Sequence, residues 1–330
     1  METAIENKTV TGKANLEVFS STLQELATTD RNIVVVTSDS RGSGKLVPFG
    51  QKFPEQIVEI GIAEQNLVGV AAGLASAGKK AFAVSPACFL TARALEQIKN
   101  DVAYSDNPVK LIGISAGVSY GALGSTHHSL HDYAVLRAIN NITIVAPADN
   151  YETKEAIKLA ADLDKPVYLR FGKKNMPDLP FTDQKFEFGK GRIIREGNDV
   201  AFIAAGETVY PSVQAAKKLE EENNLQATVI SMHTIKPLDY ELLGAIARRC
   251  KTIITVEEHS VYGGLGEACA SFLLQHRNRS FGGAWEGSFK IVGIPDEYTV
   301  TGSQIEIFNH YGISADGLAA TALELIKKIN

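Results

Sequence analysis

Residues 53–66 read Phe53-Pro54-Glu55-Gln56-Ile57-Val58-Glu59-Ile60-Gly61-Ile62-Ala63-Glu64-Gln65-Asn66, and Gly69, Ala71, Ala72, Gly73, Ala75 and Ala77 follow closely. This is a strand that hands a carboxylate, Glu64, to the first turn of a small-residue helix packed closely against something. Working outward, short apolar β-branched runs recur at residues 33–37, 81–84, 109–115, 142–145 and 167–169. Helical stretches at 64–77, 89–103 and 151–163 lie between them, the second placing Leu95, Ile98 and Val102 on one face. Strands alternating with helices predict βαβ units on a parallel sheet. Residues 171–192, with three glycines, two prolines and scattered charges, read as a linker. The alternation then restarts, with strands at 200–204, 227–231, 252–256 and 289–294 and helices at 211–222, 238–250, 265–276 and 316–326. Pro237 falls just ahead of a helix, with Leu238 and Asp239 in its first turn. The fold expected is α/β, two doubly wound sheet domains over residues 10–180 and 188–330, with the break near residue 185.

Composition agrees with that reading. The chain has 330 residues, 33 basic and 38 acidic, for a formal charge of −5. At roughly 100–200 residues per domain this length predicts two cores. Hydrophobic residues make up 45% and charged residues 22%, which excludes disordered, collagen-like and coiled-coil classes. No apolar run reaches the roughly 20 residues that span a bilayer, and METAIENKTVTGK lacks the apolar core of a signal peptide, so cytoplasm is expected. Cys88, Cys250 and Cys269 show no CxxC spacing, against a disulfide framework or a zinc site. The mild acidity offers nothing to nucleic acid. Small-molecule chemistry is the class that remains.

Several segments carry polar groups at strand ends, where open α/β sheets bind ligands. Glu64 alone also reads as an ordinary helix N-terminal acid favoured by the dipole. Residues 121–132, GALGSTHHSLHD, hold His127, His128 and His131 in a loop. Without a cysteine or a matching downstream cluster, no metal site is assigned there, and Asp132 reads as a cap of the next helix. Residues 37–44, TSDSRGSG, either cradle a phosphate or form a turn, and no Walker lysine accompanies them. Gly263, Gly264 and Gly266 have the wrong spacing for a dinucleotide fingerprint and read as a tight helix start. Gly113-Ile114-Ser115-Ala116-Gly117 matches a serine-hydrolase elbow in spacing only. In the second half, His233, Glu258 and His259 read as interface or packing residues.

Taken in order, TSDSRGSG, FPEQIVEIGIAEQN, ACFLTARALEQIKND, GSTHHS, VAPADNYET, KPVYLRFGKKNMP, IKPLD and VEEHSVYGGLGEA resemble the thiamine-diphosphate enzymes of the transketolase superfamily over nearly the whole chain. The resemblance covers a pyrimidine-binding domain followed by the transketolase C-terminal domain. It lacks the GDG-bearing domain that holds the diphosphate through Mg2+. The chain therefore resembles the C-terminal subunit of a two-chain transketolase. The implied partner is an N-terminal subunit that holds thiamine diphosphate and Mg2+ at the shared interface, with two copies of each chain in a heterotetramer. The implied reaction moves a two-carbon ketol unit from a ketose to an aldose.

The resemblance implies that Glu64 contacts N1′ of the aminopyrimidine, sharing a proton there so that the 4′-imino form can deprotonate C2. Phe89 matches the aromatic stacked on the pyrimidine, and Asp39 and Ile62 fall among the cofactor contacts. Ser43 matches a substrate-phosphate position and His127 the histidine that contacts the donor's hydroxyls. Two further aromatics of the family fall on Ala92 and Leu95. Ser115 stands where the family has a substrate-binding histidine, Leu123 where it has an aspartate that reads a sugar hydroxyl, and Lys173 where it has a phosphate-binding arginine. A donor other than the common sugar phosphates is expected, branched, deoxy or sulfonated, with Lys173, Arg170 and His128 as anion contacts. Deoxyxylulose-phosphate synthase and the β subunit of 2-oxo acid dehydrogenases are the neighbouring readings, and a non-catalytic binding subunit is the third.

Overall fold

A computed structural model describes residues 11–180, 182–275 and 285–329. Residue 10 at the expected domain start, Phe181 in the expected linker, His276 at the expected helix end and Asn330 lie outside these. Two sheets form the frame. In the first, the strand order is Thr234–Lys236, Thr143–Val145, Val167–Arg170, Lys110–Ile114, Lys80–Pro86, Ile33–Thr37 and Ile57–Glu59. All neighbours are parallel except the first pair. In the second, the order is Ser288–Ile294, Thr252–Ser260, Val200–Ala204, Ala227–Ser231 and Arg192–Arg195, with only the last pair antiparallel.

Strand alternation sorts side chains onto two faces of the first sheet. Val36, Ala81, Ala83, Leu111 and Tyr168 pack with Leu67 and Ala71 of the helix Glu64–Ser76 and with Leu90 and Val102. Ile33, Val35, Phe82, Val84 and Ile112 face the other way, onto Leu16, Phe19 and Leu23 of Asn15–Ala27 and Ile157 of Asn150–Asp162. Both faces are covered by helices, the doubly wound arrangement expected. The first of these layers continues through Ala201, Ile203, Ile230 and Ile253 of the second sheet, so one apolar layer spans both halves.

Five local expectations are corrected. The stretch 89–103 is not one helix: it comprises Ala87–Arg93, a turn at Leu95–Gln97 and a π-helical segment Ile98–Tyr104, with Ala94 at φ −106° between the first two. Ile98 and Val102 still reach the core. The 238–250 helix begins at Tyr240, because the Asp239 side chain accepts from Leu242 N as the N-cap. The linker contains a strand, Asn175–Pro177, paired with Thr11–Ala14. Asp132 does not cap its helix, since its carboxylate is committed inward to Tyr168 and Arg170. The strand at 252–256 runs on to Ser260. Among the described residues no helix is long and apolar enough to cross a membrane.

Candidate functional site

Because the central strands of the first sheet run in parallel, their carboxyl ends open on one edge, and the polar loops collect there in sheet order. Lys173 follows Val167–Arg170, the loop 115–131 follows Lys110–Ile114, Phe89 follows Lys80–Pro86, Asp39 and Ser43 follow Ile33–Thr37, and Glu64 follows Ile57–Glu59. The turn into Glu64 depends on Gly61 at φ +78°, a left-handed conformation that glycine adopts without strain.

Glu64 is nearly fully buried, and both carboxylate oxygens accept from Arg93 Nη1, at 2.9 and 3.0 Å. The Arg93 guanidinium also lies over the Phe89 ring, 4.2 Å from its centroid. Phe89 and Tyr120 each meet the His127 ring edge-on at 5.4 Å. Lys173 Nζ sits 4.5 Å above the Tyr120 ring. Glu64, Arg93, Phe89, His127, Tyr120 and Lys173 thus form one continuous run in which carboxylate, aromatic, imidazole and cation alternate. Burial pushes the Tyr120 hydroxyl up, so it stays protonated as a donor. Asp39 and Ser43 occupy an adjoining loop: Asp39, at φ +49°, donates its N–H to Glu59, which also accepts from Arg41 Nε, and Ser43 Oγ donates to Ser40 O. Ile62 is 73% exposed on the turn ahead of Glu64, against no part of this chain's core.

Two residues expected to contact an anion do not face this run. Arg170 is buried, with Nε donating to Asp132 at 2.8 Å and Nη2 to the carbonyls of Ser129 and Glu258 at 3.1 and 2.7 Å. Its charge is neutralised inside the protein, as a buried guanidinium requires. Burial disfavours ionisation of Asp132, but Arg170 outweighs it and holds that carboxyl below its ordinary range. His128 is likewise buried, its Nδ1 2.7 Å from Thr299 Oγ1 and its Nε2 2.9 Å from Gly121 O. Desolvation lowers its proton affinity, so it is a neutral structural imidazole. The other loop histidines pair with hydroxyls, His127 with Thr126 and His131 with Thr91. Among the described residues no group of three or more His, Cys, Asp or Glu side chains is placed to hold a metal ion. Ser115, the elbow serine, is completely buried at φ +54°, and Leu123 is exposed.

Sequence alone does not single out Arg93, Tyr120 or the residues of the second half that fasten the 115–131 loop. Thr299 Oγ1 lies 2.7 Å from His128 Nδ1 and 3.1 Å from Ser125 Oγ, and the Thr299 N–H donates to Ser125 Oγ. Glu258 Oε1 accepts from Val118 N at 2.9 Å and from Gln304 Nε2 at 2.8 Å, and Ser260 N donates to Leu130 O. A signal for Arg93 does exist, since Phe89 and Arg93 are four apart on a helix and share a face. Thr299 carries no local mark, because its partners lie 171 and 174 residues away.

This fold has counterparts in known proteins. The pyrimidine-binding domain of transketolase matches residues 12–178, and the transketolase C-terminal domain matches 189–318. A subunit of the apulose-4-phosphate transketolase of Phocaeicola vulgatus is 48% identical over 312 residues, covering 94% of this chain and 96% of its own. The corresponding apulose-4-phosphate transketolase subunit from Actinobacillus succinogenes is 41% identical over 89% of this chain and 92% of its own. A solved structure described as a split-gene transketolase, an inactive β4 tetramer, superposes with a TM-score of 0.83 at 35% identity, over 96% of this chain and 99% of that one.

Proposed function

This chain belongs to the transketolase family, and from that premise we infer that it is the C-terminal subunit of a two-chain transketolase that transfers a two-carbon ketol unit from a ketose phosphate to an aldose. The observation that carries this reading is the run from Glu64 through Phe89 and His127 to Lys173 along one sheet edge. A buried carboxylate beside an aromatic face fits the aminopyrimidine of thiamine diphosphate: a flat ring to stack and a ring nitrogen that shares a proton with an acid. Bound, that cofactor supplies the carbon nucleophile that breaks and remakes the ketose carbon–carbon bond. Glu64 holds the proton at N1′. Phe89 supports the ring face. His127, held edge-on between Phe89 and Tyr120, presents ring nitrogen toward the donor's hydroxyls, and Lys173 gives the donor's phosphate a point charge. Asp39, Ser43 and Ile62 border this space on the Glu64 side.

Among the described residues no cluster of His, Cys, Asp or Glu side chains is placed to hold a metal ion, and a partner N-terminal subunit would hold the diphosphate and Mg2+ end, in a heterotetramer of two copies of each. The solved relative described as an inactive β4 tetramer supports the same dependence. We place the domains at residues 10–180 and 188–330. The three cysteines are buried free thiols, in keeping with a reducing cytoplasm. Two close relatives are named for apulose 4-phosphate, and we propose that donor for this chain. Leu123 and Ser115 stand where transketolases of ordinary donors carry an aspartate and a histidine, and an apolar Leu removes a hydroxyl-reading acceptor. The same two positions disfavour deoxyxylulose-phosphate synthase, whose acceptor-binding Arg and Asp would fall there.

The test is to purify the chain alone and with its partner and to compare turnover of apulose 4-phosphate and xylulose 5-phosphate. Ketol transfer is expected only from the mixture, with apulose 4-phosphate preferred, and Glu64→Gln is expected to lower turnover by about 10²–10⁴-fold, the usual range for losing a positioned acid–base group. Full activity of Glu64→Gln sinks the assignment of that residue, and a preference for xylulose 5-phosphate sinks the donor.

A further inference from the structure

We propose that Arg93 is a stand-in for the cofactor's aminopyrimidine, a plug that takes the Glu64 and Phe89 contacts of the pyrimidine pocket and must swing out before thiamine diphosphate can seat. The proposal rests on the reading of Glu64 and Phe89 as the pyrimidine contacts. One guanidinium makes both contacts at once: its Nη1 lies 2.9 and 3.0 Å from the two Glu64 oxygens, and its centre lies 4.2 Å from the Phe89 ring centroid. A guanidinium and an aminopyrimidine have the same recognition chemistry, a flat π-face that stacks on an aromatic ring and in-plane nitrogens that bond a carboxylate. The Phe89 face covered by Arg93 is closed to a second flat group.

The geometry also supplies the exit. Glu64 is 4% exposed and stays put, whereas the Arg93 side chain is 47% exposed. Arg93 is the last residue of Ala87–Arg93, and the backbone leaves the helical region at Ala94, φ −106° and ψ 21°. The guanidinium can therefore turn into solvent with no change in the helix that carries Phe89. Without Arg93 or a cofactor nitrogen the buried Glu64 carboxylate would lose these donors, a costly state. Each contact given up is that of a half-exposed cation, worth a few-fold, so the plug lowers apparent cofactor affinity by about fivefold to thirtyfold, as for any site whose open state is a minor population.

The experiment uses the chain assembled with its partner and titrates thiamine diphosphate with Mg2+ by calorimetry, following association by stopped flow. Arg93→Met is expected to bind the cofactor about 5–30-fold more tightly and to associate faster, with Arg93→Lys, which keeps the charge but loses the flat face, in between. Glu64→Gln and Phe89→Leu are expected to bind it more weakly. Unchanged or weaker binding by Arg93→Met, with Glu64→Gln and Phe89→Leu both weakened, overturns the plug and leaves the pocket reading standing. Unchanged affinity in all four variants overturns the pocket reading itself. Should Arg93→Met fail to assemble, Arg93→Lys decides alone: wild-type affinity or weaker refutes the plug.

Discussion

Replacing Thr299 by valine should loosen the histidine loop although Thr299 belongs to the other half of the chain. The hydroxyl is the single group that joins His128 Nδ1, at 2.7 Å, to Ser125 Oγ, at 3.1 Å, and both Thr299 and His128 are buried. Valine keeps the volume but leaves the His128 nitrogen without a partner. The loss of one net hydrogen bond, about 1 kcal/mol, with about 1–2 kcal/mol for stranding a buried polar atom, comes to about 2–3 kcal/mol in favour of loop opening. Other ties remain, among them His128 Nε2 to Gly121 O and Val118 N to Glu258, so the loop should open locally without global unfolding. The amides of His127, His128 and Ser129 report this directly, because they donate to Gly124 O, Gly124 O and Gly117 O within the closed loop. Their hydrogen-exchange protection should fall about 30- to 150-fold, at about 1.4 kcal/mol per tenfold. The donor KM should rise with kcat changed less, since His127 loses its position and not its chemistry. Tyr298→Ser, one residue away at 93% exposure, is the control and should change neither. Unchanged protection at those three amides in Thr299→Val would refute the fastening argument.

Two further perturbations address the same seam. Burial and the neighbouring Glu207 push the Glu258 carboxyl up to about 8. Because the folded protein holds this proton more tightly than the unfolded chain, the group's stabilisation is complete below the ordinary glutamate range and is lost as pH rises through about 8. Stability should thus fall with pH over about 5–8 with a slope of up to about 1.4 kcal/mol per unit from this group, and Glu258→Gln, always neutral, should remove that component in urea titrations. Parallel curves for the two proteins would show that Glu258 does not titrate in this window. Gly117 sits at φ +60°, and a Cβ there would collide with the Glu258 carboxyl. Gly117→Ala should therefore cost about 2–4 kcal/mol in chemical denaturation, combining left-handed strain with overpacking, and a cost under about 0.5 kcal/mol would mean the seam yields freely.

The parts of the fold that are readable in the sequence are those with a local physical cause. Ile33–Thr37 and Val200–Ala204 are mostly apolar runs with 5 residues each, buried on both faces, and they announce parallel strands without help from neighbours. Thr234–Lys236 has 3 residues, and only its pairing with Thr143–Val145 of the other half makes it a strand. The helix break at Ala94 has no local signal, since alanine is the best helix former. The site divides the same way. Glu64, Phe89 and His127 stand beside strand ends, where position along the chain implies position on the sheet edge. Arg170 and His128 stand there too, yet they point the other way: Arg170 shares the strand face that meets Asp132, and His128 is turned by Thr299. Residue type and spacing place a side chain at an edge, and the partner chosen for it by distant sequence decides its direction.

That distinction bears on how the second half of the chain meets the site. On the proposed reading His127 must be held closely, and a loop that begins at a left-handed Ser115 and passes Gly117, Gly121 and Gly124, all with positive φ, has only a few backbone bonds of its own to hold it. Bonds from the second half add to these. Glu258 near the end of one strand and Thr299 after the next bond the loop directly, and Gln304 at the start of a helix donates to Glu258. Arg170 crosses back from the first sheet to the carbonyl of Glu258, so the seam is bonded from both sides. The buried acids Glu207 and Glu258 both accept from the Gln304 amide, and burial pushes both carboxyls up, Glu258 to about 8. A smooth apolar interface would bury as much surface at less electrostatic cost, but it would slide, whereas these directional bonds register the loop against a rigid sheet end.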